Sequence, residues 1–215
     1  MNETYTSMSV HDEMRARVID LAEEAFHTEG IRSVTMDNIA RRLSMSKRTI
    51  YQLFTDKEDL LLTCVRKHEK EERDRLRKLG EETDNVLELI LMEFANKMKD
   101  LEGVKPAFFN ELRFYPRVVA HITKCQKRDS AEAVEFLERG IAQGLFREDV
   151  NFTIVHAGLQ NNIVQVMGDV AFGNYSMAEL FANTVMVYMR GCTTVKGAKI
   201  MDDFITRYRM GAFRK

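Results

Sequence analysis

The sequence lacks tryptophan altogether and has only 2 prolines, 11 glycines and 3 cysteines among its 215 residues. So few helix-breaking residues, in a chain rich in leucine, glutamate, lysine, methionine and alanine, predict an all-α fold. The cysteines (Cys64, Cys125 and Cys192) lie far apart in the sequence and form no CxxC pair. This spacing indicates neither a zinc site nor a disulfide framework, so we expect a reduced, cytoplasmic protein without a metal.

Long hydrophobic runs are also missing. The longest stretch without Asp, Glu, Lys or Arg covers residues 150–168, and its amides and histidine make it too polar for a membrane span. No apolar segment at the N-terminus suggests a secretory signal. The sequence contains no GxSxG, P-loop or GxGxxG motif, and His68 has no second histidine at i+4. We therefore expect neither an enzyme nor a cofactor; a helical enzyme without a known motif stays open as an alternative.

Residues 35–57 (TMDNIARRLSMSKRTIYQLFTDK) are the most informative stretch of the chain. Apolar residues spaced at i, i+3, i+4 and i+7 predict a short helix with Thr35 as its N-cap. After a break at residues 44–45, Ser46 can cap a second helix that turns Ile50 inward. The residues facing outward from this second helix are polar or cationic: Lys47, Arg48, Thr49 and Gln52. Two short helices with this pattern are typical of a helix-turn-helix motif that enters a DNA major groove.

The charge of this stretch supports the same interpretation. The whole chain carries a formal net charge of −1, which gives no evidence for nucleic-acid binding. Residues 31–57, however, hold six lysines and arginines against two aspartates. Such a local patch is the electrostatic footprint of a DNA-binding module, and Tyr51 beside it suggests a phosphate contact. The alternative is a three-helix core with an ordinary solvated basic surface.

Ten residues of this region carry a family resemblance: Ile39, Ala40, Ser46, Lys47, Thr49, Ile50, Tyr51, Phe54, Lys57 and Glu58. Together they resemble the DNA-binding signature of the tetracycline-repressor (TetR) family over residues 14–62. Residues 138–149 (ERGIAQGLFRED) resemble, more weakly, a stretch of the family's C-terminal domains. Two positions depart from the pattern. Ser44 stands where the turn commonly holds glycine, and a serine is less favourable than glycine there if its φ is positive. Arg48 stands where the family often has a small residue.

The resemblance implies a homodimeric repressor that binds a palindromic operator in double-stranded DNA and is released by a small-molecule effector. It also implies that Lys57, in the first turn of its helix, contacts a DNA phosphate. The residues we expect at the DNA are Thr35, Ser46, Lys47, Arg48, Thr49, Tyr51, Gln52 and Lys57. A helical ligand-binding or scaffold protein without DNA binding is the alternative function.

Three regions follow from these patterns. Residues 1–56 form a three-helix DNA-binding domain with a flexible arm over residues 1–10 and a first helix that Gly30 ends. Residues 57–80 form a linking helix, opened by a capping box from Thr55 to Glu58 and solvated along its charged middle, including Glu71, Glu72 and Asp74. Residues 81–215, starting near an N-cap at Asp84, form a larger helical domain for ligand binding and dimerisation.

Two helices of this larger domain, over about residues 152–172 and 176–189, are unusually short of charge. A helix that is apolar on more than one face must be buried on more than one face, and a partner subunit can supply that burial. In the TetR family, the last two main helices pair with their symmetry mates. The residues we expect at the dimer interface are Val155, Leu159, Ile163, Val166, Phe181, Val185, Tyr188 and Met189.

Aromatic and polar residues of the larger domain are candidates for a ligand cavity. The aromatic ones can equally be plain core, and a buried amide usually has a structural partner. The residues we expect to line the cavity are Phe94, Met98, Phe108, Phe109, Leu112, Tyr115, His121, Cys125, Gln160 and Asn161.

Overall fold

A computed structural model describes the backbone of residues 10–208, with side chains throughout except at residues 127–132, 170 and 208. The arm predicted over residues 1–10 therefore lies outside the described residues except for Val10. Within the described range the structure is helical and has no strand, apart from one isolated β-bridge between Phe146 and Thr193. The prediction of an all-α fold is confirmed. The helices are α1 (Val10–Glu29), α2 (Met36–Arg42), α3 (Lys47–Leu53), α4 (Lys57–Glu82), α5 (Val86–Asp100), α6 (Pro106–Leu112), α7 (Pro116–Ala142), α8 (Phe152–Gly168), α9 (Met177–Cys192) and α10 (Val195–Tyr208).

Helices α1, α2 and α3 share a small core at the N-terminal end of the chain. Phe26, Ile39, Ile50 and Phe54 are almost completely buried there. Arg15 of α1 closes the far side, because its guanidinium donates to the carbonyl of Leu53 at 2.6 Å and lies over the Phe54 ring. These contacts fix the orientation of α3 on the other two helices. We call these three helices the reading head.

The turn between α2 and α3 carries backbone strain. Ser44 adopts a φ of 54°, the left-handed region in which a side chain is disfavoured, so the cost expected at this position is present. Two backbone hydrogen bonds hold the turn: Ser44 N–H donates to Arg41 at 3.1 Å, and Met45 N–H donates to Ala40 at 2.9 Å. The tight turn keeps α3 close to the end of α2.

Two predicted helix starts are wrong by one residue. The N-cap of α4 is Asp56, whose carboxylate accepts from the Asp59 N–H at 2.7 Å, and Asp59 in turn accepts from the Thr55 N–H. The aspartate pair outcompetes the predicted Thr55–Glu58 box because Asp56 lies one residue nearer the helix. Helix α5 is likewise capped by Asn85, which accepts from two N–H groups, and not by Asp84.

The linking helix is α4, and its charged middle is solvated only in part, because Glu71 is exposed as predicted but Glu72 is not. Glu69 and Glu72 are half-buried, because α5 and α7 pack across this part of α4 and supply Lys97 and His121 as partners. Leu76, further along the same helix, is 44% exposed. The charges of α4 therefore belong partly to the interior of the protein.

Helix α6 joins the reading head to the larger domain. The Lys105 N–H, just before α6, donates to the carbonyl of His27 at 2.9 Å, and Glu111 accepts from the Arg32 N–H at 2.7 Å. Arg117 of α7 similarly donates its N–H to Glu58 at 2.7 Å. The core of the reading head thus continues without a gap into the larger domain.

Candidate nucleic-acid interface and ligand cavity

Helix α3 presents a polar, cationic face to solvent. Ser46 caps it, because its hydroxyl accepts from the Thr49 N–H at 3.0 Å, and Ile50 on the opposite side is fully buried. Lys47, Arg48 and Gln52 are exposed. A short helix that is anchored by a cap and one buried face holds its outward side chains in a defined direction, as a groove-reading helix requires.

Several of the residues predicted to contact DNA have partners within the reading head. Lys47 pairs with Asp37 at 2.9 Å and lies 5.8 Å from the centre of the Tyr51 ring, which is 44% exposed. The exposed Lys47–Asp37 pair can exchange its partner for a phosphate at little cost. Thr49 is half-buried and shares a hydrogen bond with the Ser46 hydroxyl. Thr35 caps α2 by accepting from the Asn38 N–H at 3.1 Å.

Lys57 lies behind this face and points into the reading head. Its ammonium donates to the carbonyls of Ile31 and Val34, both at 2.9 Å, and burial lowers the pKa of this lysine. An ammonium has three donors, so two of them stabilise the chain between α1 and α2 and one is left for an outside acceptor. The sequence suggested a phosphate as the partner of Lys57 and gave no sign of this structural contact.

A cavity of about 690 Å³ lies between the reading head and the larger domain. It is bounded by residues of α1, α4, α5, α6, α7, α8 and α9. Six predicted residues line it: Phe108, Phe109, Leu112, His121, Cys125 and Gln160. Its size is that of a pocket for a small organic molecule.

Four predicted cavity residues lie elsewhere. Phe94 is buried and stacks on Phe181, with ring centres 5.6 Å apart, and Met98 belongs to the same core. Tyr115 stands at the start of α7, near Lys57, and Asn161 is exposed on α8. The packing between helices, and not the residue type, decides which side of each helix faces the cavity.

One end of the cavity is polar, which the sequence did not indicate. The polar residues that line it are Glu23, His27, His68, Glu69, Glu72, Lys97 and Asp100. Burial alone would raise the pKa of Glu72, but hydrogen bonds and charge from His68 and Lys97 lower it to about 2. Burial lowers the pKa of His27 and favours its neutral form. The i, i+1, i+4 spacing of His68, Glu69 and Glu72 on α4 is a signal that could have suggested a shared face.

Helices α8 and α9 also differ from the sequence expectation in which faces they expose. All the predicted dimerisation residues except Tyr188 pack on the subunit's own core, and Val185 is only 8% exposed. The strongly exposed apolar residues of the two helices are instead Ile154 at 69%, Val187 at 72% and Val164, which borders the cavity, at 62%. Across the described residues, no helix combines the length and apolar character that a membrane crossing requires.

Comparison with known proteins identifies the N-terminal region. Residues 18–64, which cover most of α1, all of α2 and α3 and the start of α4, match the family described as "Bacterial regulatory proteins, tetR family". Residues 18–64 therefore form a DNA-binding domain of the TetR family. The sequence resemblance to this family is thereby confirmed, and the family is one of transcriptional regulators.

Curated relatives of the chain are also transcriptional regulators. The chain is 30% identical over 110 residues to "HTH-type transcriptional regulator SAUSA300_2515" of Staphylococcus aureus (strain USA300), a match that covers 48% of this chain and 59% of that regulator. The chain thus spans less than two thirds of the curated relatives it matches.

Solved structures share the fold. A TetR-family regulator from Marinobacter aquaeolei VT8 superposes with a TM-score of 0.71 at 15% identity, covering 89% of this chain and 97% of that one. A regulator from Saccharomonospora viridis, solved in complex with choline, gives a TM-score of 0.68 at 20% identity, with 85% and 98% covered.

Proposed function

We propose that this TetR-family protein is a transcriptional repressor that binds a palindromic operator as a homodimer and leaves it when a small molecule occupies the cavity. The observation that carries the proposal is the capped helix α3, whose exposed face holds Lys47, Arg48 and Gln52. Arginine, lysine and glutamine side chains can read base edges in a major groove or grip the phosphates beside it.

Each residue has a proposed role on the duplex. Lys47, Arg48, Thr49 and Gln52 contact base edges or the phosphates next to them. Thr35, Ser46, Tyr51 and Lys57 contact the phosphate backbone, Lys57 through the one donor that the carbonyls of the reading head leave to it. Two copies of α3, spaced by about 34–36 Å or slightly more, would enter successive major grooves.

Helices α8 and α9 are the proposed dimer interface. The outward-facing Ile154 and Val187, and not the inward stripe predicted from the sequence, supply its apolar centre. Tyr188, which accepts a hydrogen bond from Asn162 at 3.4 Å, joins the two helices beside this surface. A second copy of the same pair of helices would bury these side chains from water.

The cavity is the proposed effector site, and its position supports a route to the reading head. Phe26 and His27 of α1 and Leu61 of α4 line it, while α6 binds the head through Lys105 and His27. A ligand that moves α4 or α6 would therefore change the separation of the two α3 helices. Allosteric coupling of this kind is usually worth about 1–3 kcal/mol.

Binding of labelled duplexes from the DNA that flanks the protein's own gene tests the proposal. At low salt, the wild-type chain should bind one duplex far more tightly than a scrambled duplex of the same length. Arg48→Ala should weaken binding to the true site by about 1–3 kcal/mol and binding to the scrambled site much less. Lys199→Ala, which removes an exposed cation on α10, is the matched control and should bind as wild type does.

The proposal fails if no duplex is bound at low salt or if the protein is strictly monomeric. An equal loss for Arg48→Ala on both duplexes would make Arg48 a phosphate contact and leave the remainder of the proposal intact.

A further inference from the structure

A cluster of three potential metal ligands lines the cavity. His121 and Cys125 lie one turn apart on α7, and Glu69 faces them from α4. His121 Nε2 is 2.8 Å from Glu69 Oε2 and 3.5 Å from Cys125 Sγ. One ligand atom from each of the three residues lies within 4.8 Å of the other two.

These separations fit a tetrahedral ion. Zinc binds imidazole nitrogen and carboxylate oxygen at about 2.0–2.2 Å and thiolate sulfur at about 2.3 Å, so its ligand atoms are roughly 3.3–3.8 Å apart. The distance of 3.5 Å between His121 and Cys125 already falls in this range, and the 2.8 Å between His121 and Glu69 would lengthen by about half an ångström. A nitrogen, oxygen and sulfur set suits zinc and other borderline-soft metals, whereas magnesium and calcium prefer oxygen alone.

The surroundings hold these side chains in place. The side chains of Glu69 and His121 are only 17% and 20% exposed. Arg73 donates to Glu69 Oε1 at 2.8 Å, so the arginine orients the carboxylate and Oε2 remains directed at His121. A hydrogen-bonded partner of this kind is what supports a ligating carboxylate in metal sites.

A neighbouring cluster of potential metal ligands differs because protein cations already bind it. His68, Glu72 and Asp100 also bring three ligand atoms within 4.8 Å. The ammonium of Lys97 already binds Glu72 and lies 3.4 Å from His68, and Arg75 donates to Asp100 at 2.6 Å. A protein cation therefore occupies the position that a metal would take, and this cluster serves as an internal comparison.

We propose that Glu69, His121 and Cys125 bind one Zn²⁺ ion, with its fourth position open to the cavity. Three protein ligands and one open position are the arrangement in which zinc can also hold a ligand or water. The ion would join α4 to α7. The inference goes beyond the proposed regulatory function and does not depend on DNA binding. It reverses the expectation, drawn from cysteine spacing alone, that the chain has no zinc site.

The test uses the full-length chain, reduced and stripped with a chelator, then titrated with Zn²⁺ or Co²⁺. The wild type should bind one equivalent, and its Co²⁺ complex should show the near-ultraviolet absorption of a thiolate–cobalt bond. His121→Gln and Cys125→Ser should each lower the affinity by about 100-fold or more, because loss of a ligand costs at least as much as loss of an outer partner. His68→Gln, which alters the neighbouring cluster, is the matched control and should keep wild-type affinity.

A second measurement needs no substitution. Zinc should slow alkylation of Cys125 in the wild-type chain, while magnesium at the same concentration, which prefers oxygen ligands, should leave the rate unchanged. The proposal is overturned if the wild type binds zinc no more tightly than His121→Gln. It is also overturned if His68→Gln loses as much affinity, if the cobalt complex lacks the thiolate band, or if zinc leaves the alkylation of Cys125 unchanged.

Discussion

Replacing Lys57 by methionine tests how the reading head is joined to α4. The ammonium donates to the carbonyls of Ile31 and Val34, and both of these residues are buried. A hydrogen bond to a charged group contributes about 1.5–3 kcal/mol. Because Lys57 is only partly buried, we expect the two bonds together to contribute roughly 2–3 kcal/mol and not their full sum. Methionine keeps the aliphatic stem and removes the donors.

The expected result is a lower melting temperature in scanning calorimetry. For a chain of this size, a loss of 1 kcal/mol lowers the melting temperature by about 2–4 °C, so Lys57→Met should melt roughly 4–12 °C below the wild type. Lys47→Met is the matched control, because the ion pair between Lys47 and Asp37 is exposed and its loss should hardly change the melting temperature. If Lys57→Met melts with the wild type, the two carbonyls do not depend on this ammonium and the reasoning is refuted.

The same variant separates a structural role of Lys57 from a DNA contact. If its third donor reaches a phosphate, Lys57→Met should weaken binding to every duplex and reduce the salt slope by about one. An unchanged slope with a lowered melting temperature would restrict Lys57 to holding the reading head.

Three further predictions concern other regions. Gly140→Ala should destabilise the fold by about 1–3 kcal/mol in urea unfolding, because the new Cβ would lie 2.6 Å from Cε2 of the buried Phe146 ring; a neutral result would show that this ring can move. Val187→Asp should shift the protein from dimer to monomer in light scattering, while Val195→Asp, an exposed valine on α10, should not. Burial in the folded state lowers the pKa of His27 below 6.5. As the pH falls below 6.5, the unfolded chain therefore binds a proton at this histidine more readily than the folded chain does, and the folded state loses stability. His27→Gln should therefore lose less stability than the wild type between about pH 7.5 and about pH 5.5, and equal losses would contradict the assignment.

The sequence could predict the local structure of the reading head because that structure depends on neighbours in the chain. Thr35 and Ser46 cap helices through N–H groups three residues away, and Gly30 ends α1 with a φ of 90°. The outward face of α3 follows from the same local periodicity. Capping was less certain where two candidates stood side by side, as Thr55 and Asp56 do at the start of α4.

The cavity and the outer face of α8 and α9 depended on packing between distant parts of the chain. From the sequence, Glu69 and Glu72 are expected to be solvated, because nothing within α4 indicates that Lys97 and His121 lie beside them in the fold. Val185 and Val187 are both apolar, yet one is buried in the subunit and the other is 72% exposed.

By itself, the sequence determined that the chain is helical, where α1 ends, where α2 and α3 begin, and which residues α3 presents to solvent. Hydrogen bonds and helical periodicity act over three or four residues, so they can be read from the chain directly. Only the tertiary structure decided which polar residues of α1, α4, α5 and α7 meet in one cavity, because contacts between helices depend on their rotation and crossing angles.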